Sequence, residues 1–338
     1  MNAPRRRRAG LASCVAAVLI VLTGCAEQQP PSMHPAAEQT DVPVMIDAQV
    51  DRVMKEVADV VAAADKAGDA KLLAPRVDGA ETQLRQSRYQ IRSKQPKYPA
   101  PSPVGTERLV DAVPVDQPWP RFFFSVTEPA PDAVPRLQLL TQQNARVPYK
   151  LSASATLLPG VTLPRTAAPS TGVDPLPIGD QSGLKLSPVQ AVGQYADVLT
   201  ASTGSKYANA FSDDAFRKAV TGEQDAERKA ATVTCEGCFD YKVTHTPRQN
   251  WVWAIRTLDG GALVLGVVDS TRTFTVKKQG AKLPLTPELQ ALSGKQEATK
   301  SAEITSVEVV AMHVPAADSK QQVQVVAADR GPVKATAS

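Results

Sequence analysis

Apolar residues recur at helical spacing in the first part of the chain and at two-residue spacing further along. Between Val50 and Ala64 they follow one face of a helix that Asp47 can cap and Gly68 ends. Residues 80–93 predict a second helix. Beyond a proline-rich break, the alternation of apolar and polar positions indicates β-strands. These strands are expected at residues 108–113, 121–127, 137–141 and 147–157.

The same order of elements returns in the second part of the chain. Ser187 and Pro188 supply an N-cap and a first helical residue, and a charged helix is expected at residues 213–231. Further strands lead into a closing hairpin, and Asp259-Gly260-Gly261 is a hairpin turn signal. The strands of this half are expected at residues 239–245, 251–258, 262–269, 271–277, 304–314 and 321–327.

The repeated order of elements predicts a duplicated unit. The aromatic segment at residues 119–124 corresponds in place to the segment at residues 251–256. We therefore expect an α+β fold with two similar lobes, each formed by helices packed on a curved antiparallel sheet. In element order, each half resembles the cystatin or nuclear-transport-factor-2-like architecture. That resemblance implies a concave sheet face on which an apolar ligand can lie.

The N-terminus has the layout of an export signal. Four arginines, Arg5–Arg8, precede the apolar run Leu11–Leu22, which is too short for a permanent membrane-spanning helix. The sequence Leu22-Thr23-Gly24-Cys25 resembles the lipobox of bacterial lipoprotein precursors. The resemblance implies that Cys25 receives a diacylglyceryl group and becomes the first mature residue, a lipid anchor of the palmitate type. The alternative is that Cys25 is an ordinary cysteine after an uncleaved segment.

The pattern and the prolines together predict the organisation of the chain. The apolar signal is followed by a polar, proline-containing stretch that predicts a disordered tether. A second proline-rich stretch predicts a linker between the lobes. The predicted parts are a signal peptide at 1–24, a tether at 25–44, a first lobe at 45–160, a linker at 161–185, a second lobe at 186–330 and a tail at 331–338.

Charge and composition narrow the class of protein. The chain carries 38 basic and 34 acidic side chains. Removing residues 1–24 takes away four arginines and no acid, which leaves 34 of each and a net charge of zero. No basic surface for nucleic acid is expected after processing. As a whole, the chain is similar to actinobacterial secreted lipoproteins of unknown function, which implies an extracytoplasmic, membrane-attached protein.

Two cysteines follow Cys25 in the chain, Cys235 and Cys238. Export favours a disulfide between them. Thr232–Thr234 before the pair and the alternating residues after it predict strands on both sides, with the turn at Glu236-Gly237. Redox exchange of the thioredoxin type and metal binding with His245 remain as alternatives.

The sequence contains none of the familiar catalytic motifs. G-x-S-x-G, H-E-x-x-H, P-loop and G-x-G-x-x-G sequences are all missing, and no cofactor or metal site is expected. His245 and His313 lie in predicted strands, where a core or sheet-edge position is the simpler interpretation. Trp119, Trp251 and Trp253 offer a ligand surface or, more simply, core packing.

These patterns favour a lipid-anchored protein of the cell membrane, on its extracytoplasmic face, that serves as a non-enzymatic binding or assembly module. Its partners would be the membrane, through Cys25, and a protein or a small apolar ligand. The alternative is a carrier or sensor that holds a small apolar ligand in the concave face of one lobe. An enzyme would require His245 or His313 to meet a carboxylate in a cleft.

We expect the substitution Cys25→Ser to abolish membrane retention, because two acyl chains on that sulfur provide the anchor. Fractionation of cells and mass spectrometry of the mature N-terminus measure the effect. Cys14→Ser is the matched control, since Cys14 lies in the apolar run and leaves with the signal. A Cys25→Ser protein that is still acylated and kept in the membrane fraction would contradict the anchor.

Overall fold

The computed structural model describes residues 42–130 and 133–338, and the predicted signal peptide, Cys25 and most of the tether lie outside them. The first half begins with two helices and continues with four strands, as the change of period predicts. Its elements are α1 (Asp47–Ala67), α2 (Gly79–Lys94), β1 (Glu107–Ala112), β2 (Arg121–Glu128), β3 (Arg136–Gln142) and β4 (Lys150–Leu157).

The second half again places two longer helices before its strands. Ser187 accepts a hydrogen bond from the Gln190 N–H and Pro188 starts α3, as predicted. Two of the predicted strand pairs merge into single long strands. The elements are α3 (Pro188–Ala201), α4 (Ala215–Thr234), β5 (Phe239–Arg256), β6 (Ala262–Val276), β7 (Leu283–Pro284), α5 (Pro287–Ser293), β8 (Glu297–Ala298), β9 (Ser301–Val314) and β10 (Gln324–Ala337).

Eight strands from both halves form one curled antiparallel sheet in the order β1-β2-β3-β4-β10-β9-β6-β5. The α+β class is therefore confirmed. Two lobes with separate sheets are not found, because the last strands of the two halves pair with each other, Thr156 with Ala328 and Leu157 with Ala327. The unpaired N–H and C=O groups at the end of β4 are a natural site for a further strand, and β10 pairs there.

The curl brings residues of both halves into one apolar core on the concave face. Phe122, Phe124 and Leu139 from the first half share this core with Leu265 and Val309 from the second. The outer faces are covered by helices. One face of α1 packs on β2–β4 through Val50, Met54 and Val57, and α3 packs on β5, β6 and β9 through Val192, Tyr195 and Leu199.

The segment that was predicted to be a linker contributes to this core. Val173 is buried and pairs through backbone hydrogen bonds with Val113 and Val115. Leu163 and Ala167 pack against the concave cluster. The predicted tail also belongs to the fold, because β10 continues to Ala337 and pairs with β9 along its length. A polar composition hid this strand, in which Ala335 is the one buried residue after Ala328.

Helix α2 contacts both β4 and β10, and a buried polar network fixes it there. Glu81 accepts from Arg85 at 2.7 Å and from the Ser154 hydroxyl at 2.7 Å. Arg136 donates to Ser154 at 2.8 Å and to Asp329 at 2.6 Å. Burial works to raise the pKa of Glu81, but the adjacent guanidinium groups of Arg85 and Arg136 outweigh it and lower that pKa.

Two glycines test the contact of α2 with the sheet. Gly68 and Gly79 both have left-handed backbones, with φ of 63° and 56°. A Cβ on Gly68 would meet nothing within 4 Å, whereas on Gly79 it would lie 1.9 Å from the Trp251 ring and 2.9 Å from the Ser152 carbonyl oxygen.

We expect Gly68→Ala to lower the free energy of unfolding by about 1–2 kcal/mol, the cost of the left-handed conformation for alanine. Gly79→Ala should cost roughly 1–3 kcal/mol more, because the methyl group overpacks the junction of α2, β4 and β5. Urea unfolding measures both. Equal losses at the two positions would show that α2 does not lie against Trp251.

Candidate functional site

A cavity of about 670 Å³ opens at the side of the concave face that β1 borders. Its floor is apolar and is formed by Phe124, Val126, Leu137 and Leu263. One wall is β1 with the start of α1, and the other is the segment 163–169. This volume lies within the range typical of small-molecule sites, which are mostly apolar with a few polar groups.

Strand alternation explains why the floor is apolar. In β2, Phe122 and Phe124 face the concave core, and Phe123 packs on the opposite side against Tyr149 under α1. The register of β2 with β3 places Phe124 opposite Leu139 and Val126 opposite Leu137. Two of the three consecutive rings therefore lie on the concave side of the sheet.

The α1 side of the cavity carries a closed ion cluster. Arg108 contacts Asp111 and lies 2.8 Å from Asp51 on α1. Asp111 is buried and also accepts the Ser125 hydroxyl at 2.7 Å. Burial raises the pKa of Asp111, and the hydrogen bond from Ser125 and the charge of Arg108 offset only part of that rise. The cluster ties α1 to the edge strand β1.

The opposite wall carries a second arginine, Arg165, whose surroundings differ from those of Arg108. Arg165 lines the cavity, is exposed, and forms no ion pair with any residue in the described part of the chain. Its backbone carbonyl accepts the Leu258 N–H at 2.8 Å, which fixes the segment against the β5–β6 hairpin. Sequence reasoning missed Arg165 because a single arginine among prolines and threonines carries no pattern.

The tryptophans do not line this cavity. Trp251 and Trp253 pack edge to face, with ring centroids 5.3 Å apart, beside the concave core. Trp119 is exposed, and the guanidinium of Arg121 lies 4.6 Å from its ring. The apolar floor of the cavity is therefore formed by phenylalanine and aliphatic residues.

Cys235 and Cys238 lie at disulfide distance, with Cα atoms 5.4 Å apart. The predicted strand before them is wrong, because α4 continues to Thr234 and Cys235 is its C-cap. The hydroxyls of Thr232 and Thr234 are satisfied within the helix, because each donates a hydrogen bond to a carbonyl one turn earlier. A helix C-terminus does not stabilise a thiolate, so the position lacks the feature that activates thioredoxin-type cysteines.

Both histidines meet a carboxylate, but neither does so in the cavity. His245 Nε2 lies 3.6 Å from Glu308 Oε1, and both side chains are buried. His313 Nε2 lies 3.0 Å from Asp259 Oδ2 in the β5–β6 hairpin, where Asp259 also accepts from Thr257 and the Gly261 N–H. These contacts brace strands and a turn.

Among the residues that the structure describes, no group of three or more histidine, cysteine, aspartate or glutamate side chains is placed to hold a metal ion. In the same part of the chain, no helix combines the length and apolar character needed to cross a bilayer.

We expect Arg108→Gln to lower the free energy of unfolding by about 1–3 kcal/mol near pH 7, because it leaves the buried Asp111 carboxylate without its cation. A carboxyl whose folded pKa is raised contributes stability at low pH that is lost as the pH rises through that pKa. Arg108→Gln raises the pKa of Asp111 further, so that more of this carboxyl is protonated at about pH 4. The loss in free energy of unfolding caused by the substitution should therefore be smaller at about pH 4 than near pH 7.

Urea unfolding of wild type and variant at both pH values checks the Arg108 prediction. Asp51→Asn is the matched control. The Asp51 side chain is 64% exposed, so its loss should cost less than about 1 kcal/mol. An Arg108→Gln penalty that is the same at both pH values would show that Asp111 is not the group that needs the cation.

Comparison with known proteins identifies a family but no activity. No curated protein and no solved structure matches the chain. The resemblances to lipoproteins and to the cystatin and nuclear-transport-factor-2-like architecture therefore stay predictions. Residues 41–337 match a domain of unknown function, DUF8094. That match spans nearly the whole described structure, and the chain belongs to the DUF8094 family.

Proposed function

We propose that this protein is a lipid-anchored carrier on the extracytoplasmic face of the cell membrane, which holds a small apolar ligand in the concave cavity. The observation that supports it is the floor of Phe124, Val126, Leu137 and Leu263 beneath an open cavity of about 670 Å³. Elsewhere the concave face is filled by its own side chains, so this is the place where an added apolar group would find apolar partners.

The strength of such binding follows from the area removed from water. An apolar ligand gains about 25 cal/mol for each Å² that it buries. The polar groups around the floor, such as Arg108 and Asp111, are already hydrogen-bonded to each other and to Ser125. A ligand therefore covers the floor without leaving these groups unpaired, which would be costly.

The position of the cavity suits a protein held by its N-terminus. Asp47 and Asp51, in the first turns of α1, line the cavity, and the Val44 N–H bonds to the Pro114 carbonyl just before them. Eighteen residues, 26–43, separate Val44 from Cys25, and a chain of that length spans at most about 65 Å. With Cys25 lipidated, the cavity would stay within that distance of the membrane surface.

The two halves also support a duplicated α+β unit. Each half has two helices followed by a four-stranded meander, β1-β2-β3-β4 and β5-β6-β9-β10, and the meanders meet at their last strands. Three strands of the first half, β1, β2 and β3, line the cavity, whereas the second half contributes Leu263 of β6. We propose one ligand per chain for this reason.

A bulky side chain in the cavity wall tests the carrier function. We expect wild-type protein to bind the uncharged fluorophore N-phenylnaphthylamine with an increase in its fluorescence. Ala167→Trp should weaken binding by about tenfold or more, because Ala167 lines the cavity beside its apolar floor and an indole there takes up ligand volume.

Ala226→Trp is the control for the added indole, since Ala226 is exposed on α4 and does not line the cavity. Far-UV circular dichroism verifies that both variants fold. The carrier function is refuted if wild type does not bind the fluorophore, or if Ala167→Trp binds it as tightly as Ala226→Trp does.

A further inference from the structure

The charged side chains that line the cavity determine which charged group a ligand could carry. This inference rests on the proposed function and concerns the same cavity. The charged residues that line it are two arginines, Arg108 and Arg165, and three aspartates, Asp47, Asp51 and Asp111. The ion pairs that these residues form, rather than their net charge, determine which charged side chain can contact a ligand.

Arg108 is not available to a ligand. Its guanidinium contacts Asp111 on one side and Asp51 on the other, and Asp111 and Ser125 are hydrogen-bonded to each other. An anion that displaced these carboxylates would leave the buried Asp111 without its cation. The positive charge of Arg108 is therefore fully compensated by Asp51 and Asp111, and this wall offers no free cation to a ligand.

Arg165 differs in each of these respects. It lies in the segment 163–169, forms no ion pair with a described residue, and is exposed at the cavity. Asp47 is the remaining acid, and it belongs to the α1 wall with Arg108. A guanidinium presents paired N–H donors that match a carboxylate or a phosphate.

We propose that the cavity takes an amphiphile with a long apolar chain and an anionic head, and that Arg165 binds the head while the chain lies on the floor. A fatty acid and an anionic phospholipid share this chemistry. The chain would contact Phe124, Val126 and Leu137, and the head would stay at the mouth, where the 163–169 segment meets solvent.

A matched pair of probes isolates the charge of the head. cis-Parinaric acid and its methyl ester share one fluorescent chain and differ in the anionic group. We expect wild type to bind the acid about tenfold more tightly than the ester, and Arg165→Gln to remove that preference without weakening the ester. Arg146→Gln is the control, since Arg146 is exposed in the β3–β4 turn and does not line the cavity.

The outcomes separate this inference from the carrier function. If acid and ester bind equally to wild type, or if Arg165→Gln weakens both alike, the anionic head is refuted while the apolar carrier stands. If neither probe binds, the carrier function itself fails. Displacement of the acid by vesicles of phosphatidylglycerol but not of phosphatidylcholine supports a phospholipid, and displacement only by unlabelled fatty acid supports a free acid.

Discussion

The pairing of β4 with β10 is the contact on which the rest of the structure depends. Two residue pairs lie in register across it, and the N–H of Leu158, just after β4, donates to the Val326 carbonyl, yet this short junction turns two meanders into one sheet. Arg136 reinforces the junction from the side by donating to Thr156 and Ser154 on β4 and to Asp329 on β10. Buried ion pairs add little net stability but are costly to break. We therefore attribute to Arg136 the choice of partner strand and its register, with the stability coming from the apolar core.

The joined sheet also explains where the cavity is. Curling brings the concave sides of both meanders together, so most of that face becomes solid core. The edge strand β1 has six residues, whereas β5 at the other edge has eighteen. A short strand covers less of the concave face, and the segment 163–169 passes across from β1 without filling the space between them. The opening follows from this mismatch of edges.

The sequence predicted what depends on neighbouring residues. Helical spacing indicated α1, the cap at Ser187 located the start of α3, and the Asp-Gly-Gly turn located the β5–β6 hairpin. In each case the signal lies within a few residues of the feature. The single sheet could not be predicted in this way, because Leu157 and Ala327 carry no local mark of being partners.

The same distinction applies to the candidate site. Alternation indicated that residues 121–127 form a strand, but it could not say that Phe124 would be left at an open cavity. Arg108 and Asp51 are far apart in sequence and meet only because α1 packs against the sheet. At Cys235 the local signal itself was misleading. Threonines favour strands in isolation, yet here their hydroxyls donate to carbonyls of the preceding turn within α4.

Burial distinguishes the charged groups that stabilise the fold, such as Glu308, from Arg165, which is exposed and which we propose to bind a ligand. Glu308 is fully buried beside His245, so ligand access to it would require the β5–β6–β9 core to open. Arg165 is hydrated in the free protein and carries no burial cost there. A bound chain would exclude water from part of the mouth, and attraction between Arg165 and an anionic head strengthens as the local dielectric constant falls. In the proposed complex the apolar floor and the Arg165 guanidinium would therefore act together, because a chain that covers the floor would strengthen the attraction between Arg165 and the head.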